Sequence, residues 1–145
     1  MWQRVQTLYL AISTILIGAL FFCVKATAFD ADAAGPAVLK YTDYIPSLVL
    51  LIIISLLNVL ALTTFKHRIF QMRTAVLAAI VTIALQIWLG VDFWMTHGEY
   101  IFKLTAVFPI LSVILDFLAA RGILADQLLV ESAYHLRKSR RDRRK

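Results

Sequence analysis

Four long apolar runs punctuate the chain, at about residues 7–24, 45–65, 74–93 and 104–120. Leu, Ile, Val, Ala and Phe dominate them without strict alternation, so helices are expected rather than barrel strands. Each run is about long enough to cross a hydrocarbon core of ~30 Å. The fourth is the shortest; Ile101 and Phe102 extend it, with Lys103 snorkelling outward. Beyond residue 120 the pattern changes to RGILADQLLVESAYHLRKSRRDRRK. Here Ala125, Leu128, Leu129, Ala133 and Leu136 share one helical face, with Asp126, Glu131 and His135 off it. The fourth helix is therefore expected to extend, or to bend at Gly122, into an amphipathic helix. The pattern as a whole predicts an all-α fold. A four-helix transmembrane bundle occupies residues 1–121, and an amphipathic helix with a basic tail occupies 122–145.

Composition supports lipid as the solvent. Of the 145 residues 61% are hydrophobic and the mean hydropathy is +0.78, against about 45–50% apolar residues in a soluble domain. The length suits one compact unit. Cys23 is the single cysteine, so no intrachain disulfide can form. Residues 1–28 also carry the elements of a signal peptide, with MWQR as a basic start and Ala26-Thr27-Ala28 as a small-residue site. The apolar run is longer than a usual signal core and Lys25 interrupts it just before that site, so an uncleaved first helix is expected.

Charge orients the bundle. The connection FKHRIFQMR, residues 65–73, holds Lys66, Arg68 and Arg73 between two strongly apolar runs. With both termini cytoplasmic, that side takes Arg4, these three residues, and Arg121, Arg137, Lys138, Arg140, Arg141, Arg143, Arg144 and Lys145. It thus holds twelve of the fifteen basic residues. The outer side keeps Lys25, Lys40 and Lys103, beside Asp30, Asp32, Asp43, Asp92 and Glu99. Such a split is what positive-inside retention requires. The loop before residue 45 reads as a partly ordered cap. Trp2, Tyr41, Tyr44, Trp94, Tyr100 and Phe102 sit where an interfacial aromatic belt belongs.

Among the polar side chains within the apolar runs, Asp116, Asn58 and Gln86 are the candidate sites. Asp116, about five residues before Arg121, is the sharpest, because a carboxylate in hydrocarbon is costly and marks a functional candidate. The alternative is that it reaches water or pairs with Arg121 or Arg73. Asn58 lies at a similar depth and is placed to share an interhelical hydrogen bond with it; Gln86 lies deeper. Pro109 kinks the fourth helix or occupies its first turn. Thr14 with Gly18, and Ala75 with Ala79, give small-residue spacings that permit close helix approach.

No HExxH, CxxC, glycine-rich phosphate loop or GxSxG occurs, and the histidines lack ligand-spaced partners. No enzymatic activity, metal or cofactor is expected. Seven of the nine residues from 137 to 145 are basic, each worth about 1 kcal/mol at an anionic leaflet. Membrane lipids are the expected partners, contacted by Lys66, Arg68, Arg73, Arg137, Lys138, Arg140 and Arg141. A membrane-protein partner or a second copy is the further expected contact. Nucleic acid is not expected, since stacking aromatics are missing from the tail.

The motifs WQRVQTLYL, FKHRIFQMR and FPILSVILDFLAARGILADQLLVESAYHLR together resemble a Bacteroidota family of small four-helix membrane proteins, a domain of unknown function. The resemblance covers nearly the whole chain. It implies an uncleaved first helix and an inner-membrane location, and supplies no activity. The family often has Asn at the place of Asp116. The expected role is a non-enzymatic accessory or scaffold subunit of a bacterial inner membrane. The alternative is a small oligomeric transporter or channel using Asp116 and Asn58.

Overall fold

The computed structural model describes residues 2–28, 38–64, 67–96 and 100–142, with side chains described for 5–28, 38–64, 67–96 and 100–134. Lys66 lies outside the described residues, as do the side chains of Arg137, Lys138, Arg140 and Arg141. Four helices, α1 (Trp2–Leu20), α2 (Ile45–Thr63), α3 (Arg68–Met95) and α4 (Phe108–Asp142), account for most of the chain. α1 packs on α2 and α4, and α3 packs on the same two, so the helices form a square bundle in chain order.

Three segments, Ile45–Thr63, Arg68–Met95 and Leu104–Tyr134, are long and apolar enough to cross a membrane. The apolar part of α1, Val5–Leu20, is shorter. The first run therefore differs from the expected 7–24: its helix stops at Leu20 and the chain turns at residues 21–23. α3 begins at Arg68, six residues before the apolar run, so Arg68 and Arg73 belong to its first turns rather than to a connection.

Buried positions run in stripes. On α1 they are Gln6, Leu10, Ser13, Ile17 and Leu20; on α2, Ser47, Leu51, Ile54, Asn58 and Ala61; on α4, Pro109, Ser112, Asp116, Ala119, Ala120 and Ile123. Steps of three and four put each set on one face, the seam of closely aligned helices. The outward faces are apolar too. Ile15, Leu56, Ile80, Ile87 and Phe117 are all more than half exposed, as lipid-facing positions would be. Pro46 and Pro109 occupy first turns, where a missing N–H leaves no intrahelical acceptor unpaired. α4 is continuous through Gly122 and does not bend into two helices there. A Cβ on Gly122 would stand 3.0 Å from Gln6 Cγ, so glycine permits the close approach of α1 and α4.

The expectation of an all-α fold needs one correction. Strands β1 (Val24–Ala28), β2 (Val38–Lys40) and β3 (Tyr100–Phe102) form an antiparallel sheet in the order β2-β1-β3. The small residues of VKATA allow the central strand to be covered on both sides. Ala26 pairs with Leu39 and with Phe102, and is itself buried. Ile101 and Phe102 thus belong to the sheet and not to the fourth span. A 3-10 turn at Leu104–Val107 leads into α4 instead. The cap joins the two connections at that end of the bundle, here termed the sheet end; the α2–α3 connection lies at the opposite, turn end.

Candidate functional sites in the bundle core and at the turn end

The apolar core is divided. Ile17, Leu20, Tyr41, Leu51, Ile54, Leu85 and Leu89 form a cluster toward the sheet end. Leu10, Ala61, Ala75, Ala119 and Ala120 form another toward the turn end. Along each helix at least one buried polar residue falls between these clusters: Ser13 on α1, Asn58 on α2, Thr82 on α3, and Ser112 with Asp116 on α4. The Ser13 and Ser112 hydroxyls bond at 2.7 Å, and Asn58 Nδ2 donates to Ser13 Oγ at 3.4 Å. Thr82 returns its hydroxyl to Ala78 O on its own helix, at 2.7 Å.

Asp116 sits one turn beyond Ser112 on the same face and is fully buried. Neither arginine considered from the sequence pairs with it. Arg121 is exposed and Arg73 lines a cleft elsewhere. Both Asp116 oxygens and Asn58 Oδ1 are buried without a hydrogen-bond partner among the described residues. The expected direct bond between Asn58 and Asp116 is thus replaced by a chain from Asn58 through Ser13 to Ser112. Gln86 stands apart, half-buried, with its Oε1 likewise unpartnered. Ser13 and Ser112 escaped the sequence reading because lone serines within an apolar run are common; only the four-residue spacing of Ser112 from Asp116 carried a signal.

At the turn end a cleft of about 750 Å³ opens between the α2–α3 connection and α4, lined by Thr64, His67, Arg68, Ile69, Phe70, Arg73 and Gln127. Two of the three predicted contact residues of the basic turn therefore share one cavity. Arg68 Nη1 donates to Asp126 Oδ2 at 2.7 Å, which fixes the start of α3 to α4. Among the described residues no side chain caps α3 at its start, and the first amides of any α-helix lack intrahelical acceptors.

The sheet end is held by a different pair. Lys25, at the register irregularity of β1, points its Nζ to Asp92 on α3 and lies 5.8 Å from the centre of the Phe102 ring. Tyr41, expected in an aromatic belt, is fully buried and shares a 3.1 Å bond with the Thr105 hydroxyl, which donates to Val24 O. Burial pushes its phenol above the usual range, with the Thr105 bond pulling the other way. Tyr44 stacks on Trp88 at 5.6 Å, and Phe102 meets Phe93 edge-on at 5.2 Å. Of the described belt candidates Trp94 is the most exposed. Among the described residues no group of three His, Cys, Asp or Glu side chains converges as metal ligands would.

Three apolar helices of membrane-crossing length, with a shorter fourth packed into the same bundle, define a membrane-spanning helical protein. Residues 2–136 match the family described as Domain of unknown function (DUF4293), and the chain belongs to that family. No curated protein and no solved structure gives a match.

Proposed function

We propose that the protein is a non-enzymatic accessory or scaffold subunit of a bacterial inner membrane. It crosses four times, with both termini and the turn end in the cytoplasm. The observation that carries this reading is the far part of α4. Leu128, Leu129 and Val130 stand more than half exposed on a helix that continues past the bundle, and the Arg68–Asp126 pair holds the base of that helix in place. Leu128 and Leu129 fall on the helical face that also carries Ala125 and Ala133, and such a face at a membrane surface, followed by a basic tail, suits docking to headgroups or to a partner helix. Arg4 and the basic residues 121–145 fall on the same side as Arg68 and Arg73 in this arrangement, as positive-inside retention requires.

A pull-down in mild detergent tests the reading, comparing the full chain with one truncated after Leu136. A defined membrane-protein partner lost on truncation supports it. Capture unchanged by truncation counts against it.

A second reading, a small oligomeric transporter, is favoured by the buried polar layer alone. It takes Asp116 and Asn58 as the groups that meet a solute or proton, and it requires that Asp116→Asn abolish flux in proteoliposomes without loss of expression.

A further inference from the structure

We propose that the turn-end cleft binds one phosphate group, that of an anionic phospholipid headgroup, held by Arg73, Arg68 and the first backbone amides of α3. The inference deepens the scaffold reading and rests on its placement of the turn end at the cytoplasmic leaflet.

Three observations converge on this ligand. First, Arg68 and Arg73 line the same cavity, and guanidinium groups suit the oxygens of a phosphate, to which they can donate in pairs. Asp126 neutralises Arg68 in part but also orients it, at 2.7 Å. Arg73 is exposed and supplies the cleft's excess positive charge. Second, Arg68, Ile69 and Phe70 are the first three residues of α3, with no side-chain cap among the described residues. Their amides and the helix dipole favour an anion at that point. Third, at about 750 Å³ the cleft is roomy for a bare phosphate and lies within the ~300–1,000 Å³ span of sites for larger ligands. Ile69 and Phe70, each about half exposed, offer apolar surface at its wall, where the glycerol and upper acyl carbons of a lipid would lie. The chain's own tail is a poor occupant, since seven of its last nine residues carry the same sign as the cleft.

The test is native mass spectrometry of the full chain in mild detergent, titrated with phosphatidylglycerol or with phosphatidylcholine of matched acyl chains. Retention of one phosphatidylglycerol, at least about tenfold preferred, is expected. Arg73→Gln should weaken that binding about tenfold, the scale of one charge-assisted hydrogen bond, and Arg73→Lys by less. Arg73 is exposed, so both variants should stay monodisperse with unchanged helicity. Truncation after Leu136 should leave the adduct in place. Equal retention of the two lipids, or full binding by Arg73→Gln, overturns the site. Displacement of the lipid by millimolar inorganic phosphate assigns the cleft to a soluble anion and overturns the lipid source. If Arg73→Gln loses the lipid while truncation leaves partner capture unchanged, the scaffold reading fails and the cleft stands. If partner capture depends on the tail while both lipids bind equally, only the cleft fails.

Discussion

Ser13 and Ser112 lie 99 positions apart in the chain, yet their hydroxyl oxygens meet at 2.7 Å inside the bundle, where Asn58 joins them from a third helix. The bond sets the register of α1 against α4, because a shift of either helix by one residue would rotate its hydroxyl off the seam. Interhelical bonds of this kind couple their partners by about 0.6 kcal/mol, with ~1.7 as an upper figure. A double-mutant cycle of Ser13→Ala and Ser112→Ala, measured by reversible unfolding in mixed micelles, should return a coupling in that range. Strict additivity would show that the bond contributes nothing.

Asp116 offers the sharper contrast between the two functional readings. Its carboxyl oxygens have no partner among the described residues, so the scaffold reading asks little of its charge. An amide of the same shape adds two donors beside the acceptors of Asn58 and the serines. Asp116→Asn should therefore keep or raise thermal stability and leave partner capture intact. Loss of proton or solute flux in that stable variant would instead favour the transporter.

At the sheet end, Lys25 and Asp92 are partly withdrawn from solvent, with side-chain exposures of 10% and 30%. Removing one partner strands the other. Asp92→Asn should cost roughly 1–3 kcal/mol, between the figures for exposed and buried pairs. Restoring neutrality with Lys25→Met in the same chain should recover part of the loss. If the single variant unfolds at the wild-type denaturant concentration, the pair does not hold the sheet to α3.

Gly122 and Gln6 give a prediction about packing. Alanine gains about 1 kcal/mol over glycine in a helix interior, but a Cβ at 122 meets Gln6 Cγ at 3.0 Å and its Nε2 at 3.2 Å. Gly122→Ala alone should be near neutral or destabilising. In a Gln6→Ala background it should stabilise by about 1 kcal/mol. An equal effect in both backgrounds would mean that the two side chains do not compete for space.

The helices were legible from the apolar runs because lipid imposes length and composition at once. The positions of the basic turn were legible too, although the turn itself proved shorter: Arg68 and Arg73 had already entered α3. What the runs hid was the sheet. VKATA and YIF are three to five residues long, and two of the three strands meet across a gap of more than seventy positions. Pairing of that kind has no local periodicity, and Lys25, read as a flanking charge, declares its partner Asp92 only in the folded chain. Similarly, the cleft draws Gln127 from α4 to a turn sixty residues earlier. Asp116 was conspicuous because a charge stands out among leucines; the serines around it were not, and the seam that gathers them appears only when four stripes are aligned.

In the proposed arrangement the turn end faces the cytoplasm and the sheet end faces outward. Single cysteines placed in a Cys23→Ser background test it, one at Lys103 on the exposed edge of the sheet end and one at Ser132 on the α4 extension. In spheroplasts treated with a membrane-impermeant maleimide, Lys103→Cys should label at once and Ser132→Cys only after the membrane is opened. The opposite pattern would invert the bundle, place the basic turn and the cleft outside, and contradict the account.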